Sequence, residues 1–226
     1  MPKIYDNVVT RDEYSPFVQA LSRLSLRLLG WRCEGEAPAS PKYVAIAAPH
    51  GTNWDLLFML LGVRALGLTS VFMMKDTVFW WPLGVFWRWL GGIPVNRRAS
   101  SNVIRQVVNY FDANERLRLL ITPEGTRKKV KYWKLGFYWM ALGAGVPILM
   151  VYVDYKKKTT GIGPLLYPTG DVEADFEKLR AFYEEKVGVT PTCRLRPGEA
   201  ELMLRGLKRR DKNAQAAEEP KAPTTP

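Results

Sequence analysis

The chain has 226 residues, 47% hydrophobic and 24% charged, which is enough apolar material for one sizeable core and excludes a wholly disordered chain. Its two cysteines, Cys33 and Cys193, lie far apart and its histidine is single, which excludes a disulfide framework and a His-rich metal site and implies a reducing compartment. The net charge of +11 calls for an anionic partner: nucleic acid, an anionic membrane face or a phosphorylated substrate.

The opening residues, MPKIYDNVVTRDEY, are polar and carry no apolar h-region, so no signal peptide is expected. Residues 17–31 have helical periodicity. Phe17, Ala20, Leu21, Leu24, Leu28 and Trp31 share one face, with Gln19, Ser22, Arg23, Arg27 and Gly30 opposite and Leu26 the one apolar exception. Such a face either packs on a core or anchors at a membrane interface. KYVAIAAP (42–49) reads as a buried strand, residues 50–53 as a turn with Thr52 or Asn53 as N-cap, and about 54–66 as a helix. Residues 70–74 are a second strand candidate. VFWWPLGVFWRWLGG (78–92) holds Trp80, Trp81, Trp87 and Trp89 and is apolar all round, interrupted by Pro82 and Gly84. It is either buried or in contact with lipid or an acyl chain.

Ser100 or Ser101 can cap a helix over about 102–115, and 118–122 is a strand running into Pro123. The uncharged run Leu135–Val153 reaches transmembrane length, but Gly143, Gly145 and Pro147 divide it into a helix ending near Ala144 and a buried strand over 147–153. A basic turn at Lys156, Lys157 and Lys158 leads to a Gly/Pro-rich loop and a polar helix at about 172–187. From about 207 the chain is charged, rich in Ala and Pro, and expected to be disordered. Helices alternating with short apolar strands predict one α/β layered domain over 1–206 and a tail over 207–226.

Three segments carry candidate chemistry. His50 and Asp55 flank a strand-to-helix turn, where a carboxylate can fix the tautomer of an imidazole and stabilise its protonated form. GGIPVNRR (91–98) offers a close backbone approach at Gly91-Gly92, and Arg97 and Arg98 can bind phosphate bidentately; Ile93-Pro94-Val95 is short for a strand. ITPEGTRKKVKYWK (121–134) places Glu124, Gly125, Thr126 and Arg127 in a loop after a strand, followed by five positive charges within eight residues. That loop suits a phosphate, and the basic run suits a lipid headgroup or nucleic acid.

These blocks resemble the glycerolipid acyltransferases. His50 to Asp55 matches that family's H-x4-D motif; Gly91, Ile93 and Arg97 resemble its second motif; Pro123-Glu124-Gly125-Thr126-Arg127 matches its PEGTR block; Val146-Pro147-Ile148 with Val151 resembles its fourth. All four stand in the family's order over about residues 42–155. The chain departs from the common pattern at Pro49, Thr122 and Met150, and Gly51-Thr52-Asn53-Trp54 resembles a subgroup with a Ser-Asn-Trp run before the aspartate.

The resemblance implies a layered acyltransferase domain with a central mixed sheet flanked by helices. It implies transfer of an acyl group from acyl-CoA or acyl-carrier protein to the hydroxyl of a lysolipid, commonly 1-acylglycerol-3-phosphate, with no cofactor or metal. His50 becomes the general base and Asp55 its partner, Arg97 and Arg127 hold the acceptor phosphate, and Glu124, Gly125 and Thr126 shape the pocket. The expected location is peripheral, on the cytoplasmic face of an anionic membrane. No recognised nucleic-acid motif accompanies the basic run. A non-enzymatic binder of anionic membranes and an acyl-thioester hydrolase using the same His/Asp pair are the alternatives.

Overall fold

The computed structural model describes residues 13–95, 100–128, 130–195, 197–201 and 203. One compact unit ends at Cys193. A second, Arg194–Pro226, is described only at the few positions just given, so the expected tail at 207–226 lies outside the described residues.

The first unit runs α1 (Pro16–Leu28), β1 (Arg32–Glu34), β2 (Lys42–Ala48), α2 (Asn53–Ala65), β3 (Val71–Lys75), a single 3-10 turn (Asp76–Val78), α3 (Leu83–Trp89) and β4 (Gly92–Val95). It continues with α4 (Ser100–Ala113), β5 (Leu117–Ile121), α5 (Gly136–Ala144), β6 (Ile148–Asp154), β7 (Thr159–Leu166) and α6 (Val172–Val187). The strands form one sheet in the order β1-β7-β6-β2-β5-β3-β4. β6, β2, β5, β3 and β4 run parallel, while β7 pairs antiparallel with β6 and β1 runs parallel to β7. The sheet is therefore mixed and helix-flanked, as expected.

β2 is central and buried almost end to end. Tyr43, Ala45 and Ala47 face a cluster with Leu26 of α1 and Phe58, Met59 and Val63 of α2. Strand alternation sends Val44 and Ile46 to the other face, where α6 packs: the Tyr183 hydroxyl reaches the Ile46 and Val151 carbonyls at 2.9 and 3.1 Å. α4 lies on that second face too, its Val107 and Tyr110 lining a small apolar cavity with Val71, Ile93 and Leu119.

Several expectations change. α1 stops at Leu28, and the Trp31 N–H closes back on the Leu26 carbonyl at 2.7 Å, so Trp31 leaves the helix and joins the core. The side of α1 that docks is also not the apolar one. Leu26 is 1% exposed and Ser22 is buried, while Arg23 Nε donates to the Ala65 carbonyl at 2.9 Å. Phe17 and Leu28 are 75% and 79% exposed, and Leu21 and Leu24 are exposed with them. Ile93-Pro94-Val95 is strand after all, held by backbone pairing to β3.

The Gly/Pro-rich stretch after the lysine turn is β7, not a loop. Gly161 is there for close approach, since a Cβ would meet the Glu34 carbonyl oxygen at 2.7 Å and the Tyr152 hydroxyl at 2.8 Å. Pro164 falls at the bulge opposite Leu149 to Val151, where a missing N–H costs no ladder bond. β1 had no sequence signal either. α4 already includes Ser100, so its capping position falls outside the described residues. The division of 135–153 holds: α5 ends at Ala144 and β6 begins at Ile148, and no helix among the described residues is long and apolar enough to cross a membrane.

The docking of α1 gives a direct test. Leu26→Ala should cost about 2–5 kcal/mol, the range for a buried leucine. Leu28→Ser should stay within about 0.5 kcal/mol, as surface changes do. Urea unfolding of both variants measures this, and equal costs would contradict the docking.

Candidate active site

The site lies at the carboxyl edge of the parallel strands, where open α/β sheets bind ligands. β2 pairs with β5 on one side and β6 on the other, in registers Ile46↔Ile121 and Ala48↔Tyr152. The segments leaving these three strands, 49–52, 122–127 and 155 onward, therefore emerge side by side.

α2 starts one residue past Thr52, which puts Asp55 at its third position. The carboxylate turns back along the chain. Oδ2 accepts the N–H groups of Gly51 and Thr52 at 2.6 and 2.7 Å, and Oδ1 accepts the Thr52 hydroxyl at 2.7 Å and the Tyr155 hydroxyl at 2.5 Å. The N–H of Thr52, the N-cap, is thereby satisfied as in a capping box, together with the Gly51 N–H just before it. His50 Nδ1 stands 3.4 Å from Oδ2, an ion-pair distance longer than a formed hydrogen bond. Catalytic contacts are commonly long before substrate binds. A proton shared between Nδ1 and Asp55 leaves Nε2 as the basic nitrogen, so the pair can take a proton from a neighbouring hydroxyl.

Asp55 is 1% exposed. Burial works to raise its pKa, but the neighbouring His50 ring and the hydrogen bonds from the Thr52 N–H and the Tyr155 and Thr52 hydroxyls outweigh it and hold the carboxyl well below the usual range. Glu124, also buried, accepts the His50 N–H at 3.1 Å and so ties the loop after β5 to the histidine's own backbone. Burial raises the Glu124 pKa; the His50 N–H and ring oppose this, and the Asp55 charge adds to it.

Gly125 has φ +64, a left-handed conformation that a side chain resists, and a Cβ would meet the Lys134 side chain at 3.0–3.2 Å. The Gly125 N–H closes on the Thr122 carbonyl at 3.1 Å. Thr126 and Arg127 follow on an exposed turn, in which the Thr126 hydroxyl accepts the Lys128 N–H at 3.4 Å. The structure thus brings His50, Asp55 and Glu124 together and sets Gly125, Thr126 and Arg127 directly beyond them. β4 ends at Val95 on the same sheet edge, just before Arg97, which lies outside the described residues, as does Arg98. Tyr155 was missed. No motif marks it, and it reaches Asp55 only because β6 lies beside β2.

Fold and pair together define an α/β protein with a His–carboxylate pair at the carboxyl edge of its sheet. The acyltransferase family model matches residues 31–154, more than half of the chain, and the chain belongs to that family. It is 30% identical over 148 residues to the 1-acyl-sn-glycerol-3-phosphate acyltransferase of Salmonella typhimurium, covering 61% of this chain and 59% of that protein. With the Escherichia coli protein of the same name it shares 29% identity over 137 residues, 56% of this chain and 54% of that one. The mouse 1-acyl-sn-glycerol-3-phosphate acyltransferase epsilon matches at 33% over 107 residues, 45% of this chain and 29% of the mouse protein. The chain thus aligns with less than two thirds of the length of these relatives. Its fold is similar to the crystal structure of the 1-acyl-sn-glycerophosphate (LPA) acyltransferase PlsC from Thermotoga maritima, with TM-score 0.51, 19% identity, and coverage of 86% of this chain and 78% of that one.

The depressed pKa of Asp55 carries a pH signature. A carboxyl whose folded pKa lies below its unfolded value contributes stability above the unfolded value, and loses it as pH falls toward the folded one. Asp55→Asn should therefore be less stable than the parent by about 2 kcal/mol at neutral pH. The gap should hold down to about pH 4 and narrow below it, as the unfolded chain takes up its proton. Denaturant unfolding across pH 2–7 checks this; a gap that is absent or independent of pH would contradict the assignment.

Proposed function

We propose that the chain is an O-acyltransferase that moves a fatty acyl group from acyl-CoA or acyl-carrier protein to the hydroxyl of a lysophospholipid-type acceptor, in phospholipid synthesis. The observation that carries this reading is the His50–Asp55 pair, joined through Glu124 to the PEGTR loop, in a chain of the acyltransferase family. The names of the relatives favour 1-acylglycerol-3-phosphate as acceptor.

His50 Nε2 removes the acceptor hydroxyl's proton as its oxygen attacks the thioester carbonyl carbon. The new C–O bond pushes the carbonyl electron pair onto oxygen. Collapse of this oxyanion breaks the C–S bond, and the departing thiolate takes the proton from the imidazolium. An ester and a free thiol result. Asp55 holds Nδ1 and balances the imidazolium charge. A covalent route through cysteine has no support: burial pushes the Cys33 thiol up to about 11 and raises Cys193 as well, so neither thiol is activated. Arg127 and Arg97 take the acceptor phosphate, and Glu124, Gly125 and Thr126 shape the loop that carries Arg127.

A lysolipid lies in a bilayer, and the apolar surface is arranged accordingly. Trp54, in the first turn of α2, is exposed beside the His50 turn. β3 leads from the same edge into Trp80 and Trp81, also exposed, the latter at 81%. β1 starts at that edge too, paired with the start of β7, so the end of α1 with Arg27 and Leu28 lies near the Lys156–Lys158 turn, and the Arg32 N–H bonds the Lys158 carbonyl at 2.9 Å. Apolar side chains flanked by cations suit the interface of an anionic leaflet, at about 1 kcal/mol for each Lys or Arg held near it. These features support a peripheral attachment, which we place on the cytoplasmic face.

His50→Ala should lower acyl transfer by about 10³-fold or more with the fold intact, read by lipid mass spectrometry with acyl-CoA and lysolipid acceptors. Substantial activity in the folded variant sinks the mechanism, and thiol release that does not depend on acceptor would favour hydrolysis. Arg127→Ala or Arg97→Ala should raise the KM for a phosphate-bearing acceptor about tenfold or more and leave the donor KM alone. Equal effects on both substrates would make these arginines structural.

Co-sedimentation tests the membrane contact. Binding to vesicles containing anionic lipid should fall only in part at high salt, because salt screens the lysines but not apolar insertion. Leu24→Ser with Leu28→Ser, both exposed toward the end of α1, should weaken the salt-resistant part about tenfold. No binding at low salt refutes the contact.

A further inference from the structure

Among the described residues that donate to the Asp55 carboxylate, all but one belong to residues 50–52 and move with the turn that carries them. The exception is Tyr155, a hundred positions away at the end of β6, whose hydroxyl donates to Oδ1 at 2.5 Å. We propose that Tyr155 is a positioning residue for the acyl transfer: its hydroxyl pins Oδ1 of Asp55 so that Oδ2 stays aimed at His50 Nδ1. This rests on the reading of His50 as the base.

Two devices hold the tyrosine in place. The Asp154 carboxylate accepts the N–H groups of Lys156 and Lys157 at 2.8 and 3.1 Å, which fixes the backbone of the turn. The ring stands edge-on to Trp31 and Phe58, at 5.2 and 6.0 Å between centroids, and those two rings stack at 3.8 Å. Such edge-to-face contacts orient a ring as well as bury it. Tyr155 is thus aimed although it is 45% exposed. Its proton is committed: burial and the bond to Asp55 push its pKa up to about 12, so at neutral pH the phenol remains a donor.

The geometric consequence is specific. A carboxylate held only by its own turn can rock about the Cβ–Cγ bond, and even a modest rotation takes Oδ2 off the line to the imidazole Nδ1. A donor anchored to the sheet on the far oxygen opposes that rotation. Thr52 donates to the same oxygen, so removing the phenol weakens the restraint without abolishing it.

Tyr155→Phe keeps the ring and deletes only the hydroxyl. The expected result is a kcat about tenfold lower, both KM values within about twofold, and a melting temperature within a few degrees. In an Asp55→Asn background the same change should cost less than about twofold, because the two residues act as one unit. The chain's single histidine allows a readout independent of turnover, since the imidazole ¹⁵N resonances belong to one ring. The parent should hold its proton on Nδ1, and Tyr155→Phe should shift the ring toward a mixture of tautomers. Unchanged resonances with kcat within twofold of the parent overturn the proposal, as does a loss that multiplies fully with Asp55→Asn. An active His50→Ala protein would instead defeat the underlying reading. An inactive His50→Ala beside a fully active Tyr155→Phe defeats only the role of the tyrosine.

Discussion

The arrangement depends on one buried charge. A carboxylate with almost no exposure costs several kcal/mol to desolvate unless donors replace its water. Asp55 collects them from the turn it closes, from two peptide N–H groups and a threonine hydroxyl, and from Tyr155 across the sheet. The same contacts satisfy the N–H groups of Thr52, the N-cap of α2, and of Gly51 just before it, and place a negative charge at the positive end of the helix. Starting the helix and orienting the histidine are therefore one interaction, and the turn that presents His50 has no freedom separate from the turn that begins α2.

The parallel strands at the centre of the sheet act as the jig for that interaction. With β5 and β6 on either side of β2, the loops after all three strands converge on one point. Glu124 uses the convergence in a second way. Its carboxylate spends an acceptor on the His50 peptide N–H, and so locks the main chain at the histidine while Asp55 holds the ring. Gly125 then reverses the chain at positive φ and sends Thr126 and Arg127 out of the buried zone.

What the sequence made legible was local. His50 and Asp55 lie on one turn, and Glu124 to Arg127 on one loop, so spacing and residue type carried them. The central strands and α5 were readable for a similar reason: continuous apolar runs broken by Gly143, Gly145 and Pro147 leave few other choices. Tyr155 was not readable, because its partner is set by which strand lies beside which. β7 was hidden by glycines that serve close packing rather than turning. α1 misled differently. Its strongest periodic face was assigned either to the core or to a membrane, and the core instead took Leu26, the residue that broke the pattern.

That last point bears on the proposed membrane contact. A helix that docks through its weaker side leaves its stronger apolar side bare, and a chain with a complete core elsewhere has no folding reason to do so. In this protein the end of that bare side, the exposed tryptophans after β3, Trp54 and the lysine turn all leave the sheet at the edge that carries His50. On the proposed reading, a bilayer meeting this edge would cover the apolar side chains and bring the acceptor hydroxyl to the imidazole in one step. Water would be displaced from around the pair at the same moment, which strengthens the attraction between Asp55 and the imidazolium when it is needed. Trp31 makes the connection concrete: it closes α1 on one side and braces Tyr155 on the other.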